Sequence, residues 1–394
     1  MARAKVLLVH HRPELGGAPT SLAYLARHLD RGRFDVAAYA PPGPSARLLA
    51  EAGARVHTGP VAAFTHIWAS TYRGARWLLL LRELARLPGH ALRLWRVLRE
   101  ERPDVVHLND SPLVVAAALA RLSGARVVWH LRAALPGEAR DVRSRLLAGA
   151  IRRLAHRAVA INDDVAASFA AAGRVDVVFN AVDLERFAPG DPLEARRALG
   201  LPEAGVLVAY VGFLYPRKGF RELLDALALV RRELPDARLV LAGGGVRRGR
   251  RLGGLVPDHE AEARELAAAR GLADAVAFLP YTDRPELVYR AADVAVAPSR
   301  GPELGRPVLE AAAAGRPVVA TGSATGGGVL RPGETGLLAR TGSAESLAEA
   351  LTALLRDPAR REAMGRAARQ HALASFDPER AAARIGDVYD EVLR

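Results

Sequence analysis

The chain has 394 residues, half of them hydrophobic, and this length predicts two domains rather than one core. The absence of cysteine excludes disulfides, thiol nucleophiles and thiolate metal sites, and it favours a reducing, cytoplasmic location. The net charge of +13 comes from arginines spread along nearly every segment, which argues against a nucleic-acid partner. The opening apolar run, in MARAKVLLVHH, is too short for a signal peptide and predicts a buried first strand.

Apolar runs of strand length alternate with longer segments of helical period along the whole chain. In the first half the predicted strands are AKVLLVHH, FDVAAYA, DVVHLND, ARVVWHLR and RAVAIND. In the second half they are VLVAYVG, ARLVLAGGG, AVAFLP, DVAVAPS, RPVVAT and TGLLA. Such alternation is typical of parallel sheets covered by helices on both faces. The sequence therefore predicts the α/β class, with two doubly wound, Rossmann-like domains facing across a cleft.

The domain boundary is predicted within residues 179–205, which are dense in proline and glycine. This gives a first domain of residues 1–184 and a second of residues 185–372. Residues 373–394 are predicted to form a terminal helix that packs back on the first domain, with Pro378 at its start. Ligands of doubly wound sheets bind at the carboxyl ends of the strands, so functional residues are sought in the loops there.

Two loops of the first half carry candidate residues. Gly16 and Gly17 precede a helix predicted to begin near Thr20 or Ser21, where backbone N–H groups favour an anion, although an ordinary strand-to-helix turn has the same pattern. His130 ends the strand ARVVWHLR and could hydrogen-bond a ligand hydroxyl or be satisfied locally. His107 and Asn109 have the same ambiguity. The run NDD at 162–164 indicates a helix cap.

The loop GFLYPRKGF holds Lys218, one of only two lysines among 56 basic residues. Lys218 follows the strand VLVAYVG and precedes the helix FRELLDALALVRREL. A compact ammonium beside the positive end of a helix suits a phosphate, whereas random drift would also leave an occasional lysine. We interpret Lys218 as a phosphate-binding residue.

The densest group of candidate residues follows the strand DVAVAPS. A loop with Glu303, Gly305 and Arg306 leads into a helix on which Pro307 takes the first position and Glu310 lies in the first turn. The two carboxylates, seven residues apart, could bind hydroxyl groups at two points of one ligand. Alternatively, Glu303 faces solvent and Glu310 interacts with the helix dipole.

With these residues identified, the chain resembles a retaining glycosyltransferase of the GT-B fold, family 4, also labelled glycosyl transferases group 1. The resemblance spans nearly the whole length, in LGGAPTSLAYLARHL, FNAVDLERF, VGFLYPRKGF, AFLPYTDRPELVYRAADVAVAPS, GPELGRPVLEAAAAGRPVVA and RPGETGLLA. It implies transfer of a sugar from a nucleotide-diphosphate donor, a UDP- or GDP-sugar, with retention at the anomeric carbon. It implies no metal or cofactor. The acceptor is a glycan, a lipid-linked sugar or a small molecule, bound by the first domain, while the second binds the donor.

The resemblance also assigns roles by position. Lys218 resembles a lysine that contacts the diphosphate, Glu310 a glutamate that binds ribose hydroxyls, and His130 a cleft histidine near the donor sugar. His130, Glu303 and Lys218 are the predicted catalytic residues. The predicted donor-binding residues lie in loops or at helix starts: Gly16, Gly17, Gly212, Arg217, Lys218, Gly305, Arg306 and Glu310.

The chain departs from the family pattern at two positions. Phe213 stands where the family usually has an arginine, for which Arg217 is the substitute, and Pro302 stands where the family has its first glutamate, one place before Glu303. These departures keep open a noncatalytic relative that binds sugar nucleotides or glycans. A dehydrogenase is disfavoured because AGGGVRRG lacks the G-x-G-x-x-G spacing.

Residues 72–99 predict one or two basic amphipathic helices that carry Trp77 and Trp95. Such a face could rest on the anionic inner surface of a cell membrane, which suits a lipid-linked acceptor. It could equally pack on the first sheet with its arginines in water.

Overall fold

The computed structural model describes residues 3–63, 77–135, 142–243, 258–301, 304–323 and 325–394, with backbone only for 77–80 and 82–83. The chain divides into two compact units. The first comprises Met1–Ala181 together with Pro378–Arg394, and the second is Val182–Asp377. The predicted boundaries, after residues 184 and 372, lie three residues after the first division and five before the second.

The first unit contains a parallel sheet of seven strands in the order β3-β2-β1-β4-β5-β6-β7. The strands are β1 (Ala4–Val9), β2 (Phe34–Ala40), β3 (Arg55–Thr58), β4 (Val105–Asn109), β5 (Arg126–Leu131), β6 (Arg157–Ala160) and β7 (Val175–Val177). Five of them were predicted. The two that were not, β3 and β7, are short edge strands in which polar residues interrupt the apolar pattern.

Alternation along the strands divides the core of the first unit between two faces of the sheet. Leu7 and Val9 belong to one apolar cluster, whereas Val6 and Leu8 belong to another. Helices cover both faces: α1 (Gly17–His28), α2 (Pro44–Glu51), α3 (Trp77–Glu101), α4 (Val114–Leu122), α5 (Val142–Leu154), α6 (Asp163–Ser168) and α14 (Pro378–Leu393). Asn162 caps α6 as expected, since its side chain accepts from the Val165 N–H at 2.8 Å.

The second unit contains a parallel sheet of six strands in the order β10-β9-β8-β11-β12-β13, all of them predicted. The strands are β8 (Leu207–Val211), β9 (Arg238–Ala242), β10 (Val276–Leu279), β11 (Val294–Ala297), β12 (Val318–Ala320) and β13 (Gly336–Leu338). The helices are α7 (Pro192–Ala198), α8 (Phe220–Glu233), α9 (His259–Ala269), α10 (Pro285–Ala291), α11 (Arg306–Ala313), α12 (Ala344–Leu355) and α13 (Pro358–Ser375). Helix α7 lies inside the segment predicted as a linker.

The terminal helix α14 completes the core of the first unit. It begins at Pro378, as predicted, and buries Ile385 and Tyr389 in the cluster that contains Val6 and Leu8. The ring of Tyr389 meets that of Phe34 edge to face, with centroids 5.5 Å apart. No helix in the described part of the chain has an apolar run long enough to cross a bilayer.

Candidate functional site

Each sheet reverses its strand order at one point, between β1 and β4 in the first unit and between β8 and β11 in the second. The loops that leave the carboxyl ends of the two strands diverge there, which opens a crevice in which doubly wound domains bind ligands. The side chains and N–H groups at these two crevices are therefore the candidate sites.

In the second unit, the loop after β8 brings a lysine to the end of β11. A short 3₁₀ turn, Pro216–Lys218, leads into Gly219, which takes a left-handed conformation with φ 72°. A β-carbon at Gly219 would collide with the Pro298 carbonyl oxygen, so this position requires glycine. The close approach fixes Lys218 beside the chain that leaves β11.

A cavity of about 60 Å³ lies at this crevice. It unites three of the predicted donor-site residues, Gly212, Lys218 and Gly305, and its full lining is Tyr210, Val211, Gly212, Lys218, Val296, Ala297, Pro298, Ser299, Leu304, Gly305 and Pro307. Gly305 precedes helix α11 without a side-chain cap; Pro307 has no N–H, and the Val308 N–H donates to the Gly305 carbonyl at 3.1 Å. An ammonium and a helix N-terminus together favour an anion.

Pro307 is the second residue of helix α11 rather than the first, because the helix begins at Arg306. Arg306 is buried and donates from Nε to Glu310 Oε1 at 3.0 Å. The Tyr289 hydroxyl donates to Glu310 Oε2 at 3.3 Å. Burial, followed by the Glu310 charge, raises the pKa of Tyr289 above its ordinary value. Glu310 is therefore held by two buried partners within the second unit.

The remaining predicted donor residues of the second unit differ in placement. Arg217 is exposed and does not line the cavity, although its carbonyl accepts from the Arg300 N–H at 2.8 Å. Phe213 stacks on Tyr281, with ring centroids 6.1 Å apart. Glu303 and Pro302 lie outside the described residues, as does most of the run AGGGVRRG.

In the first unit, buried polar side chains meet at the ends of β1, β4 and β5. Asn109 Nδ2 lies 3.0 Å from His10 Nδ1 and donates to the Ala18 carbonyl at 3.2 Å. Asn109 Oδ1 accepts from Arg132 Nε at 2.7 Å, and Arg132 Nη1 donates to Asn180 Oδ1 at 2.5 Å. Because the amide donates, His10 Nδ1 is an acceptor and His10 carries its proton on Nε2.

The neighbouring loop after β4 is strained. Asp110 has a φ of 137°, which residues with a side chain rarely adopt, and such strain is common at ligand sites. Burial raises the pKa of Asp110 and lowers those of His10 and His11 to about 3. The Asp110 carboxylate lies 4.0 Å from His11 Nε2, which also accepts from Arg12 Nε at 3.2 Å.

Helix α1 begins at Gly17, so the expected start near Thr20 or Ser21 was wrong by about one turn. The Thr20 N–H already donates to the Gly16 carbonyl at 3.1 Å, which closes the first turn. A β-carbon at Gly16 would meet nothing within 4 Å, so the space beside this helix start is open. The Ala18 carbonyl, next to Gly17, accepts from Asn109 at the end of β4, which places this helix start beside the crevice of the first unit.

His130 is buried and connects through His107, a candidate from the sequence, to Tyr389, which the sequence did not indicate. His130 Nδ1 lies 3.3 Å from His107 Nε2, and His107 Nδ1 lies 2.9 Å from the Tyr389 hydroxyl. Asn109 was a candidate from the sequence, whereas the paired histidines after β1, His10 and His11, are a sequence signal for this polar cluster that the prediction missed. Tyr389 carries no comparable signal.

Comparison with known proteins identifies two family matches. The family described as "Glycosyltransferase Family 4" matches residues 15–186, and "Glycosyl transferases group 1" matches residues 192–371. Curated relatives include D-inositol 3-phosphate glycosyltransferases of Kribbella flavida, 40% identical over 205 residues, and of Mycolicibacterium gilvum, 41% identical over 205 residues. These alignments cover 50% and 51% of this chain and 47% and 43% of the relatives, so the chain spans about half the length of the relatives it matches.

Two solved structures resemble the chain over nearly its full length. Anabaena Alr3699/HepE in complex with UDP and glucose has a TM-score of 0.81 at 22% identity, covering 99% of this chain and 100% of that one. Sucrose-phosphate synthase from Thermosynechococcus elongatus has a TM-score of 0.78 at 22% identity, covering 99% of each. At this identity the likeness shows the fold, which is GT-B. Because the two family matches together cover nearly the whole sequence, the chain belongs to the group 1, family 4 glycosyltransferases.

Proposed function

We propose that the protein is a retaining, metal-independent glycosyltransferase that moves a sugar from a UDP- or GDP-sugar to an acceptor hydroxyl. The observation that carries the proposal is the cavity between β8 and β11, where Lys218 and the N-terminus of helix α11 converge. This combination suits a nucleoside diphosphate. The named activity of the curated relatives and the UDP complexes of structural neighbours support the proposal of a nucleotide-sugar donor.

In the proposed reaction, the bond between the anomeric carbon and the diphosphate oxygen breaks while the acceptor oxygen bonds to that carbon on the same face. The acceptor proton passes to the departing phosphate. Lys218 and the N–H groups near Gly305 stabilise the charge that develops on the leaving diphosphate. At an effective dielectric of about 20, charges about 4 Å apart interact by roughly 4 kcal/mol. If half of this arises only in the transition state, it accelerates transfer more than tenfold.

The other predicted residues of the second unit complete the proposed donor site, and His130 of the first unit has a separate proposed role. Glu310 binds ribose hydroxyls, because each carboxylate oxygen accepts one hydrogen bond, from Arg306 or from Tyr289, and retains capacity for another. Glu303 serves the donor sugar and Arg217 supplies further positive charge. His130 hydrogen-bonds a sugar hydroxyl. Glycans, glycolipids and small molecules are all candidate acceptors; an inositol phosphate is the first to test, because the curated relatives are named for one.

The test compares four variants of the intact protein, one of them a control. Lys218→Ala should lower turnover more than tenfold, whereas Lys218→Arg should recover part of it and Arg217→Ala should lose less. Arg221→Ala is the matched control: it removes an exposed positive charge three residues away that pairs with Glu262, and it should retain wild-type turnover. Equal losses in the lysine variant and the control would contradict the proposed role of Lys218.

A ligand screen separates the enzyme from a noncatalytic relative. A nucleoside diphosphate at 100 times its dissociation constant should stabilise the protein by about 2.7 kcal/mol, which thermal unfolding detects. Tight binding of a sugar nucleotide without transfer or hydrolysis, across UDP-, GDP- and ADP-sugars and several acceptors, would establish the binding relative instead.

We also propose that helix α3 contacts an anionic membrane surface on the cytoplasmic side. One face of the helix packs on the sheet, with Leu94 and Val97 buried and Trp95 partly buried. The opposite face exposes leucines at helical spacing, Leu81, Leu84 and Leu92, followed by the exposed arginines Arg93, Arg96 and Arg99. Apolar side chains beside cations suit anionic lipid. Residues 72–76 lie outside the described residues.

Co-sedimentation with vesicles tests this contact. The protein should pellet with phosphatidylglycerol vesicles at low salt and be released at high salt. The double variant Leu84→Ser/Leu92→Ser should lose the binding. Leu122→Ser, which removes a leucine that is 75% exposed on helix α4, should retain it. Binding that is indifferent to lipid charge would refute the proposal.

A further inference from the structure

A chain of three buried rings links the terminal helix of the first unit to His130. The Tyr389 hydroxyl lies 2.9 Å from His107 Nδ1, and His107 Nε2 lies 3.3 Å from His130 Nδ1. Tyr389 and His107 are fully buried, and His130 is 4% exposed. The rings meet edge to face, with centroids 5.8 Å and 5.2 Å apart. The geometry allows one hydrogen bond at each step.

Both histidines are neutral in the folded protein. Burial lowers the pKa of His107 to about 3 and that of His130 well below its ordinary value, and the Arg132 charge lowers both further. Each imidazole therefore carries one proton, and each hydrogen bond fixes which nitrogen holds it. The tautomers of the two rings are coupled.

Two directions of donation are available along the chain. In the first, the Tyr389 O–H donates to His107, and His107 Nε2–H donates to His130 Nδ1, which leaves the His130 proton on Nε2. In the reverse direction, His130 Nδ1–H donates to His107 Nε2, and His107 Nδ1–H donates to the Tyr389 oxygen. The Tyr389 O–H is then left without an acceptor. A buried donor without an acceptor costs about 1–3 kcal/mol.

The surroundings of the two ends favour the first direction. The Tyr389 hydroxyl is fully enclosed, and no other partner for it occurs among the described side chains. His130 Nε2 has no partner in the described protein either, but His130 borders a cavity of about 20 Å³ with Ser21 and Asn180. The reverse direction thus leaves two groups of this chain of rings unpaired, the Tyr389 O–H and His130 Nε2, whereas the first direction leaves one, the His130 Nε2–H.

We propose that Tyr389 is a positioning residue that, through His107, holds His130 as the tautomer with its proton on Nε2. His130 then presents a fixed hydrogen-bond donor and no acceptor on that side. This makes it selective for an oxygen lone pair, such as that of a sugar hydroxyl or ring oxygen. The tautomer assignment is independent of catalysis, whereas its use in transfer rests on the proposed function.

The test measures the tautomer directly in the intact protein. Two-bond ¹H–¹⁵N correlation spectra of the histidine rings, with His130 assigned from the spectrum of His130→Gln, should show its proton on Nε2 at pH 7. Tyr389→Phe removes only the hydroxyl and makes both directions equivalent, so His107 and His130 should each become a mixture of tautomers. Tyr39→Phe is the matched control, since it deletes another buried hydroxyl, which donates to the Pro60 carbonyl at 2.8 Å.

The outcomes separate the two claims. Wild-type His130 protonated on Nδ1, or spectra of Tyr389→Phe that match those of the control, would overturn the positioning role of Tyr389. The wild-type spectrum tests the proposal even where the variant fails to fold. Where transfer is detected, kcat of Tyr389→Phe should fall about twofold with KM little changed, in proportion to the lost tautomer. An unchanged kcat alongside mixed tautomers would refute the catalytic use of His130. Absence of all transfer would count against the proposed function alone.

Discussion

Replacing Gly219 with alanine tests whether the tight turn before helix α8 positions Lys218. The residue has a φ of 72°, which costs an L-amino acid about 1–2 kcal/mol. In addition, the new β-carbon would collide with the Pro298 carbonyl oxygen and lie 3.2 Å from Pro298 Cβ. Overpacking of this kind costs about 1–3 kcal/mol. The sum, about 2–5 kcal/mol, corresponds to a decrease in Tm of roughly 5–20 °C for a unit of this size.

Gly200→Ala separates backbone strain from collision. Gly200 has a similar φ of 65°, but a β-carbon there would meet nothing within 4 Å, so only the strain of about 1–2 kcal/mol is expected. Thermal unfolding and titration with nucleoside diphosphates compare the variants. Gly219→Ala should lose more stability and bind diphosphates more weakly, whereas Gly200→Ala should keep wild-type affinity. Equal losses of stability with unchanged affinity in both would refute the positioning role of this turn.

Two further predictions concern buried ionisable groups. Because the pKa values of His10, His11 and His107 are about 3 when folded and near 6.5 when unfolded, the unfolded chain binds more protons between these values. The first unit should therefore lose stability as pH falls from about 6.5 towards 3, by up to about 1.4 kcal/mol per pH unit for each histidine; a Tm that stays constant on acidification would contradict this. Arg306→Met should destabilise the second unit by about 3–5 kcal/mol, because it leaves the buried Glu310 carboxylate without its cationic partner. The double variant Arg306→Met/Glu310→Met should recover most of that loss, as measured by urea unfolding.

The strands that carry both sites were predictable because they are buried on both faces of their sheets. Runs such as VLLV and LVLA are continuously apolar, as central parallel strands require. Edge strands bury less, so β3 (RVHT) and β7 (VDV) lack such a run and were missed. The start of helix α1 was misplaced because no side chain caps it; Gly16 takes the cap position.

The donor crevice could be predicted further than the first-unit crevice. Gly212 and Lys218 lie in the loop after β8 and Gly305 lies in the loop after β11, so the sheet order brings these residues together. Arg306 pairs with Glu310 at the i,i+4 spacing of one helix, whereas the contact of Tyr389 with His107, 282 residues away, depends on packing between distant elements. No spacing rule encodes such a contact. The contact arises because helix α14 covers the face of the first sheet that carries Val6 and Leu8.

The division of the chain also has a consequence for biosynthesis. A ribosome delivers residues in order, so the second unit, which is one uninterrupted stretch, emerges in full before helix α14 does. Until then, the sheet that emerged first exposes the surface that Ile385, Val388 and Tyr389 later cover. The unit whose synthesis begins first is thus completed last. Until helix α14 has been synthesised, the nascent chain must avoid aggregation through that exposed apolar surface.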